Sequence, residues 1–290
     1  LWHPTDPNSL YFTSLYGGMV WWRYDIATDK KEVLFDFTGK TPWPKATSYW
    51  TKAEGTMSAD GRYLALMATS YDNATKVNTI HGILMFDVQQ KQIVGTLDAA
   101  KFPKPHAFPD HISTSPSGKY AVPSWGKGEG GTRAYTRDFS TSKLLLDNSQ
   151  HSDLAFGPNR EDMLVYTDYE TGFVVARNLD TLASFNITTL YQGDSESYAA
   201  HVSGQAFDKP GWAVISTYGD SAKYGSQVPA ATLRPQYRKV FLAELKPNGR
   251  ILNVAHIQAS VRKGKDYFHE PQATASRDLS RIIFTSDFGG

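Results

Sequence analysis

Leu164-Val165-Tyr166-Thr167-Asp168-Tyr169 is an apolar run that ends in a hydroxyl residue and then an aromatic, and the same design recurs along the chain. The other copies are Tyr11-Phe12-Thr13-Ser14-Leu15-Tyr16, Leu66-Met67-Ala68-Thr69-Ser70-Tyr71, Ala121-Val122-Pro123-Ser124-Trp125, Val214-Ile215-Ser216-Thr217-Tyr218 and Ile283-Phe284-Thr285-Ser286-Asp287-Phe288. The closing aromatics of successive copies stand 55, 54, 44, 49 and 70 residues apart. Most of these spacings match the repeat of roughly 40–50 residues that marks propeller blades.

Turn chemistry brackets each run. Asp6-Pro7-Asn8, Ala59-Asp60-Gly61, Pro116-Ser117-Gly118, Gly157-Pro158-Asn159, Asp208-Lys209-Pro210-Gly211 and Arg277-Asp278 precede the six copies. Gly, Asn and Asp accept the positive φ of tight hairpins, and Pro fixes φ. A second hairpin follows in most copies, as in Leu84-Met85-Phe86-Asp87-Val88 turning at Gln89-Gln90. Each unit therefore reads strand, turn, strand, aromatic loop, strand, turn, strand. The predicted fold is all-β, a propeller of about six to seven four-stranded, WD40-like blades, with residues 1–290 as one propeller domain. The first copy lacks most of its innermost strand and the sixth stops after its second. Either one blade is completed by both ends, or the chain is an excerpt of a longer parent.

Composition narrows the function classes. A formal net charge of +1 gives no broad electrostatic surface for nucleic acid or anionic membrane. No apolar run is long enough to span a bilayer. The absence of cysteine removes disulfides, thiolate metal sites and cysteine nucleophiles together. Asn73-Ala74-Thr75 and Asn186-Ile187-Thr188 are glycosylation-type triplets. With the propeller pattern they favour an extracellular or periplasmic location. There is no Gly-x-Ser-x-Gly elbow, phosphate-cradling loop or His-Glu-x-x-His helix.

Histidine carries the candidate chemistry. His111, His151, His201 and His269, four of the eight histidines, each open a predicted innermost strand. Glu54 takes the matching place in the second blade, and Gln272 aligns with His111. Converging imidazoles with carboxylate or amide oxygens suit proton transfer near neutral pH, and they also suit a divalent metal. The bland alternative is that each lines the channel and bonds to backbone or water. Of the closing aromatics, Trp125, Tyr169 and Tyr218 are candidate ligand platforms because such rings join an apolar face to a polar edge. Trp43, Tyr49 and Trp50 in an early connection are further candidates.

Strand–turn–strand units that close on Thr-Ser-Asp, with His at inner-strand starts, make the chain resemble the TolB-like and oligogalacturonate-lyase-like propellers. In lyases of this kind a His- and Gln-bound metal holds a uronate carboxylate while a basic group removes the neighbouring proton. The resemblance implies His201, His269 and Gln272 as metal ligands, the last two within the run His269-Glu270-Pro271-Gln272. The metal would be manganese, zinc or calcium. His151 or His111 is then the base, and Glu54, Trp125, Tyr169 and Tyr218 contact a carbohydrate or other small ligand at the channel mouth. The competing expectation is a non-catalytic scaffold that presents loops to a protein or glycan, as part of a larger chain or assembly.

Overall fold

The computed structural model describes residues 1–14, 17–52, 55–191, 199–218, 235–257 and 270–286. The chain divides into two compact units, Leu1–Ser149 and Gln150–Gly290. Unit 1 holds three sheets. The first joins β1 (Ser9–Phe12), β2 (Val20–Asp25) and β3 (Lys30–Asp36); the second joins β4 (Ser48–Trp50), β5 (Tyr63–Asp72), β6 (Val77–Asp87) and β7 (Gln92–Asp98). The third joins β8 (His111–Thr114), β9 (Tyr120–Ser124), β10 (Thr132–Thr136) and β11 (Ser142–Leu146). Unit 2 holds β12 (Ser152–Phe156), β13 (Asp162–Asp168), β14 (Phe173–Asn178) and β15 (Ser184–Thr189) in one sheet. A second contains β16 (Ala199–Ser203), β17 (Trp212–Tyr218), β18 (Lys239–Glu244) and β19 (Ile251–His256), and β20 (Thr274–Ala275) pairs with β21 (Ile282–Ile283). Every sheet is an antiparallel meander in chain order. Among the described residues the first sheet has three strands and the last has two.

Outside the first sheet the repeated apolar runs become the second strands, and their lack of polar alternation has a structural cause. Residues Tyr63–Thr69 of β5 and Asp162–Thr167 of β13 are buried at every position, so both faces of these sheets are covered. Within each unit the core lies between consecutive sheets. Leu66, Leu84 and Phe86 of the second sheet meet Tyr11, Trp21 and Leu34 of the first. Ala65, Met67 and Ile83 pack from its other face against Ile112, Ala121 and Trp125. In unit 2, Ala155, Met163 and Val165 meet Ala200, Ile215 and Phe241.

Aspartate and asparagine shape the hairpins. The Asp168 carboxylate accepts the N–H of Glu170 and Thr171, and the Asn178 carbonyl those of Asp180 and Thr181. Asp138 and Asp278 each accept a backbone N–H and two hydroxyls, and those bonds lower both carboxyls to about 2.

Successive sheets are also stitched to one another by hydrogen bonds. In unit 1 the Thr114 hydroxyl accepts Ala65 N–H (2.8 Å), and Thr114 N–H donates to Thr56 O (3.0 Å). In unit 2 buried Asp153 accepts Gly204 N–H (2.8 Å), and the Ser216 hydroxyl accepts Ala273 N–H (3.1 Å). The approach is close. A Cβ on Gly204 would lie 2.1 Å from Leu154 O, so only glycine fits there.

Two stability effects are expected. Gly204→Ala forces the backbones of β12 and β16 apart and lowers unfolding stability by about 1–3 kcal/mol, read as a fall in the denaturant midpoint. Thr114→Val preserves shape but leaves the buried Ala65 N–H without its acceptor, at a cost of about 1–3 kcal/mol in the same measurement.

Candidate active site

Strand register decides which histidines are equivalent. His151 O accepts Thr167 N–H, which places His151 opposite the residue two before Tyr169. His201 pairs with Ser216, two before Tyr218. His111 pairs with Ser124, one before Trp125. A one-residue offset turns a strand side chain to the other face. His151 and His201 are therefore the matched pair, and His111 is out of phase with them.

The matched pair is in contact. The two imidazoles stack with centroids 5.1 Å apart and planes 11° from parallel. Tyr218 stacks on the far side of His201 at 5.0 Å and 21°, and Tyr169 meets His151 edge-on at 5.7 Å. First strands of adjacent sheets thus contribute one imidazole each, and second strands supply or lead into the flanking tyrosines.

Hydrogen bonds assign the ring protons. Nδ1–H of His151 donates to Ala200 O at 3.1 Å, because a carbonyl oxygen only accepts. In the neutral ring the lone pair is then on Nε2, a basic nitrogen set by its environment. Nε2–H of His201 donates to Glu270 Oε2 at 2.7 Å. These two side chains are only 11% and 13% exposed, and shielding from water strengthens such a bond. Glu270 is the residue that sequence reasoning passed over. It lies between two residues named as ligands, but its partner is 69 positions away.

His111 makes its contacts within unit 1. It is 5% exposed, with Nδ1 3.7 Å from Asp110 Oδ2. Lys52 Nζ lies 3.1 Å from Asp110 Oδ1, and the Ser149 hydroxyl donates to Oδ2 at 3.3 Å. The His111 ring, followed by the Lys52 ammonium, holds the Asp110 carboxyl well below the ordinary carboxylate range. Lys52 itself has φ +73°.

Among the ligand candidates, Trp125 is wholly buried, meets Phe102 edge-on at 5.1 Å and donates its indole N–H to Ala107 O. Trp43 and Tyr49 are core residues too: Trp43 bonds to Asp98, and Tyr49 stacks on Phe37 at 4.5 Å. Trp50 is partly buried, with its N–H on the Thr69 hydroxyl. Glu54 and His269 lie outside the described residues, as do the closing aromatics Tyr16 and Phe288. Of the expected metal ligands, Gln272 is exposed with φ +39°, and His201 already has a carboxylate partner. Among the described residues no group of three or more His, Asp or Glu side chains is placed to hold a metal ion. The described donors do not make a divalent-cation cage, since a His–Glu pair is short of the usual ligand number. No helix among the described residues is long and apolar enough to cross a membrane.

No protein-family model matches the chain, and no curated protein does. Solved structures do. An oligogalacturonate lyase in complex with manganese is 14% identical with a TM-score of 0.61, over 98% of this chain and 72% of that one. Oligogalacturonate lyase from Vibrio parahaemolyticus is 14% identical with a TM-score of 0.59, over 99% and 73%. TolB from Acinetobacter baumannii is 15% identical with a TM-score of 0.45, over 88% and 53%. The two lyase likenesses, with the stacked four-stranded sheets, show the fold: the chain is an all-β propeller.

Proposed function

We propose that unit 2 carries a proton-abstracting site for an acidic carbohydrate, and that the chain is an exported polysaccharide lyase acting on uronate polymers. One observation carries the reading: two stacked imidazoles, one with Nδ1–H fixed on a carbonyl, the other paired with a carboxylate. The fold likeness to oligogalacturonate lyase supports the same chemistry.

In this reading His151 is the general base. Its Nε2 takes the proton from the carbon beside the uronate carboxylate. The electron pair left behind forms a C=C bond as the C–O bond to the next sugar breaks, and the departing oxygen takes up a proton. General-base help of this kind contributes about 10²–10⁴-fold. His201, oriented by Glu270 and held between His151 and Tyr218, presents a polarised ring to the substrate. Tyr169, which is partly buried, supplies an apolar ring face for a sugar, and buried Tyr218 backs His201. No step runs through a metal. The manganese in the similar lyase belongs to that protein. Here a cation is a matter for the assay, which therefore supplies one.

The test is ultraviolet absorbance of the unsaturated product when the protein is incubated with polygalacturonate and other uronate polymers, with manganese present. His151→Ala is expected to lower kcat/KM by about 10²–10⁴-fold with the circular dichroism spectrum unchanged. Glu270→Gln keeps the shape but weakens a charge-assisted bond, and is expected to cost about 10–100-fold. Absence of unsaturated product from every uronate polymer, or full activity in His151→Ala, defeats the reading.

A further inference from the structure

Residues 1–6 show a different use of histidine. Leu1–His3 run antiparallel to β1: His3 N–H donates to Ser9 O at 2.9 Å, Tyr11 N–H donates to Leu1 O at 2.7 Å, and Trp2 bridges Leu10. This short pairing covers the free edge of the first sheet. The chain then turns back, and the His3 ring closes the turn. Its Nδ1 accepts Asp6 N–H at 2.9 Å and Thr5 N–H at 3.2 Å, with the Thr5 hydroxyl at 3.3 Å. Two backbone donors on one ring nitrogen fix the tautomer. Nδ1 must hold the lone pair, and the ring proton is on Nε2. The ring meets Tyr11 edge-on at 5.2 Å and lies over Gly61, where a Cβ would be 2.8 Å from Nε2.

We infer that residues 1–6 form a proton-sensitive strap, released from the edge of β1 when the His3 ring is protonated. A proton on Nδ1 turns the acceptor into a donor that faces two N–H groups, and the turn loses what holds it. Every charged neighbour bears on this. Burial is the largest influence and disfavours the cation; Asp6 favours it, and Arg23 disfavours it. Arg23 is tied to Asp6 at 2.9 Å and to Glu32 at 3.4 Å, and the Asp6 carboxyl is lowered chiefly by the Ser9 hydroxyl and Asn8 N–H. Burial pushes the Tyr11 phenol up. Asp60 in the facing turn is occupied by Ser58 and Arg62. The Leu1 nitrogen donates to Tyr11 O.

The sign follows directly. His3 titrates lower when the strap is closed than when it is open. Its support for closure is therefore complete above the ordinary imidazole value of about 6.5 and is lost as pH falls through the closed-state value. Opening bares the Tyr11 N–H and the Ser9 carbonyl, which are strand-edge groups able to pair with another strand.

Amide hydrogen exchange of Tyr11, corrected for the intrinsic rate, tests the strap at about pH 7.5 and about pH 5, on either side of the imidazole range. The native chain is expected to lose protection several-fold at the lower pH. His3→Gln offers an acceptor oxygen that does not titrate there, and it leaves Asp6 in place; its protection is expected to be independent of pH. His3→Ala is expected to lose protection at both values. Equal protection of the native chain at the two pH values overturns the inference. So does an acid loss that persists in His3→Gln, which assigns the effect to a group other than His3. Native-like protection in His3→Ala overturns it as well.

Discussion

The hydrogen bonds between neighbouring sheets, made at Gly204 across a gap that leaves no room for a Cβ, are the constraint on which the rest of each unit depends. The Asp153–Gly204 hydrogen bond and the close approach at Gly204 hold the end of β16 against β12. The stack of His151 on His201 depends on that contact, because the two rings come from those two neighbouring stretches of chain. The Ala200 carbonyl that sets the His151 tautomer is itself part of β16. Backbone stitching and imidazole chemistry are thus one arrangement seen at two scales.

Large packed rings do the complementary work. Phe37, Tyr49 and Phe86 close the space between the first two sheets, and Trp125 with Phe102 closes the next. Trp125, Tyr49, Phe37 and Phe86 are among the largest fully buried side chains. The consequence is a division of labour. Sheet faces supply cohesion, while a few buried polar groups, Thr114, Asp153 and Ser216, bond across sheets.

Much of this was legible in the residues. Asp and Gly at fixed distances before an apolar run, with an aromatic behind it, mark the blades because the turn chemistry is local and repeats. The equivalence of His151 and His201 could have been obtained by counting back from Tyr169 and Tyr218 across the strand pair. The same count sets His111 one step out of phase. Local order could not disclose Glu270, since its role depends on a contact with a residue far away in the chain. Trp125 and Tyr49 look like ligand platforms as residue types, yet both are fully buried. Whether an aromatic faces a core or a cleft is decided by the neighbouring sheet, which the run itself does not encode. His3 carried no motif at all; its importance comes from two backbone donors aimed at one nitrogen.

The tryptophans are distributed unevenly. Trp2, Trp21, Trp22, Trp43, Trp50 and Trp125 belong to unit 1, and Trp212, covered by the Arg250 guanidinium at 5.1 Å, is alone in unit 2. Intrinsic indole emission therefore follows the melting of one half of the chain and is nearly blind to the half that holds the stacked histidines. A fluorescence curve and a far-ultraviolet dichroism curve would coincide only if both halves come apart together, so comparing them reads out the cooperativity of the molecule without any label.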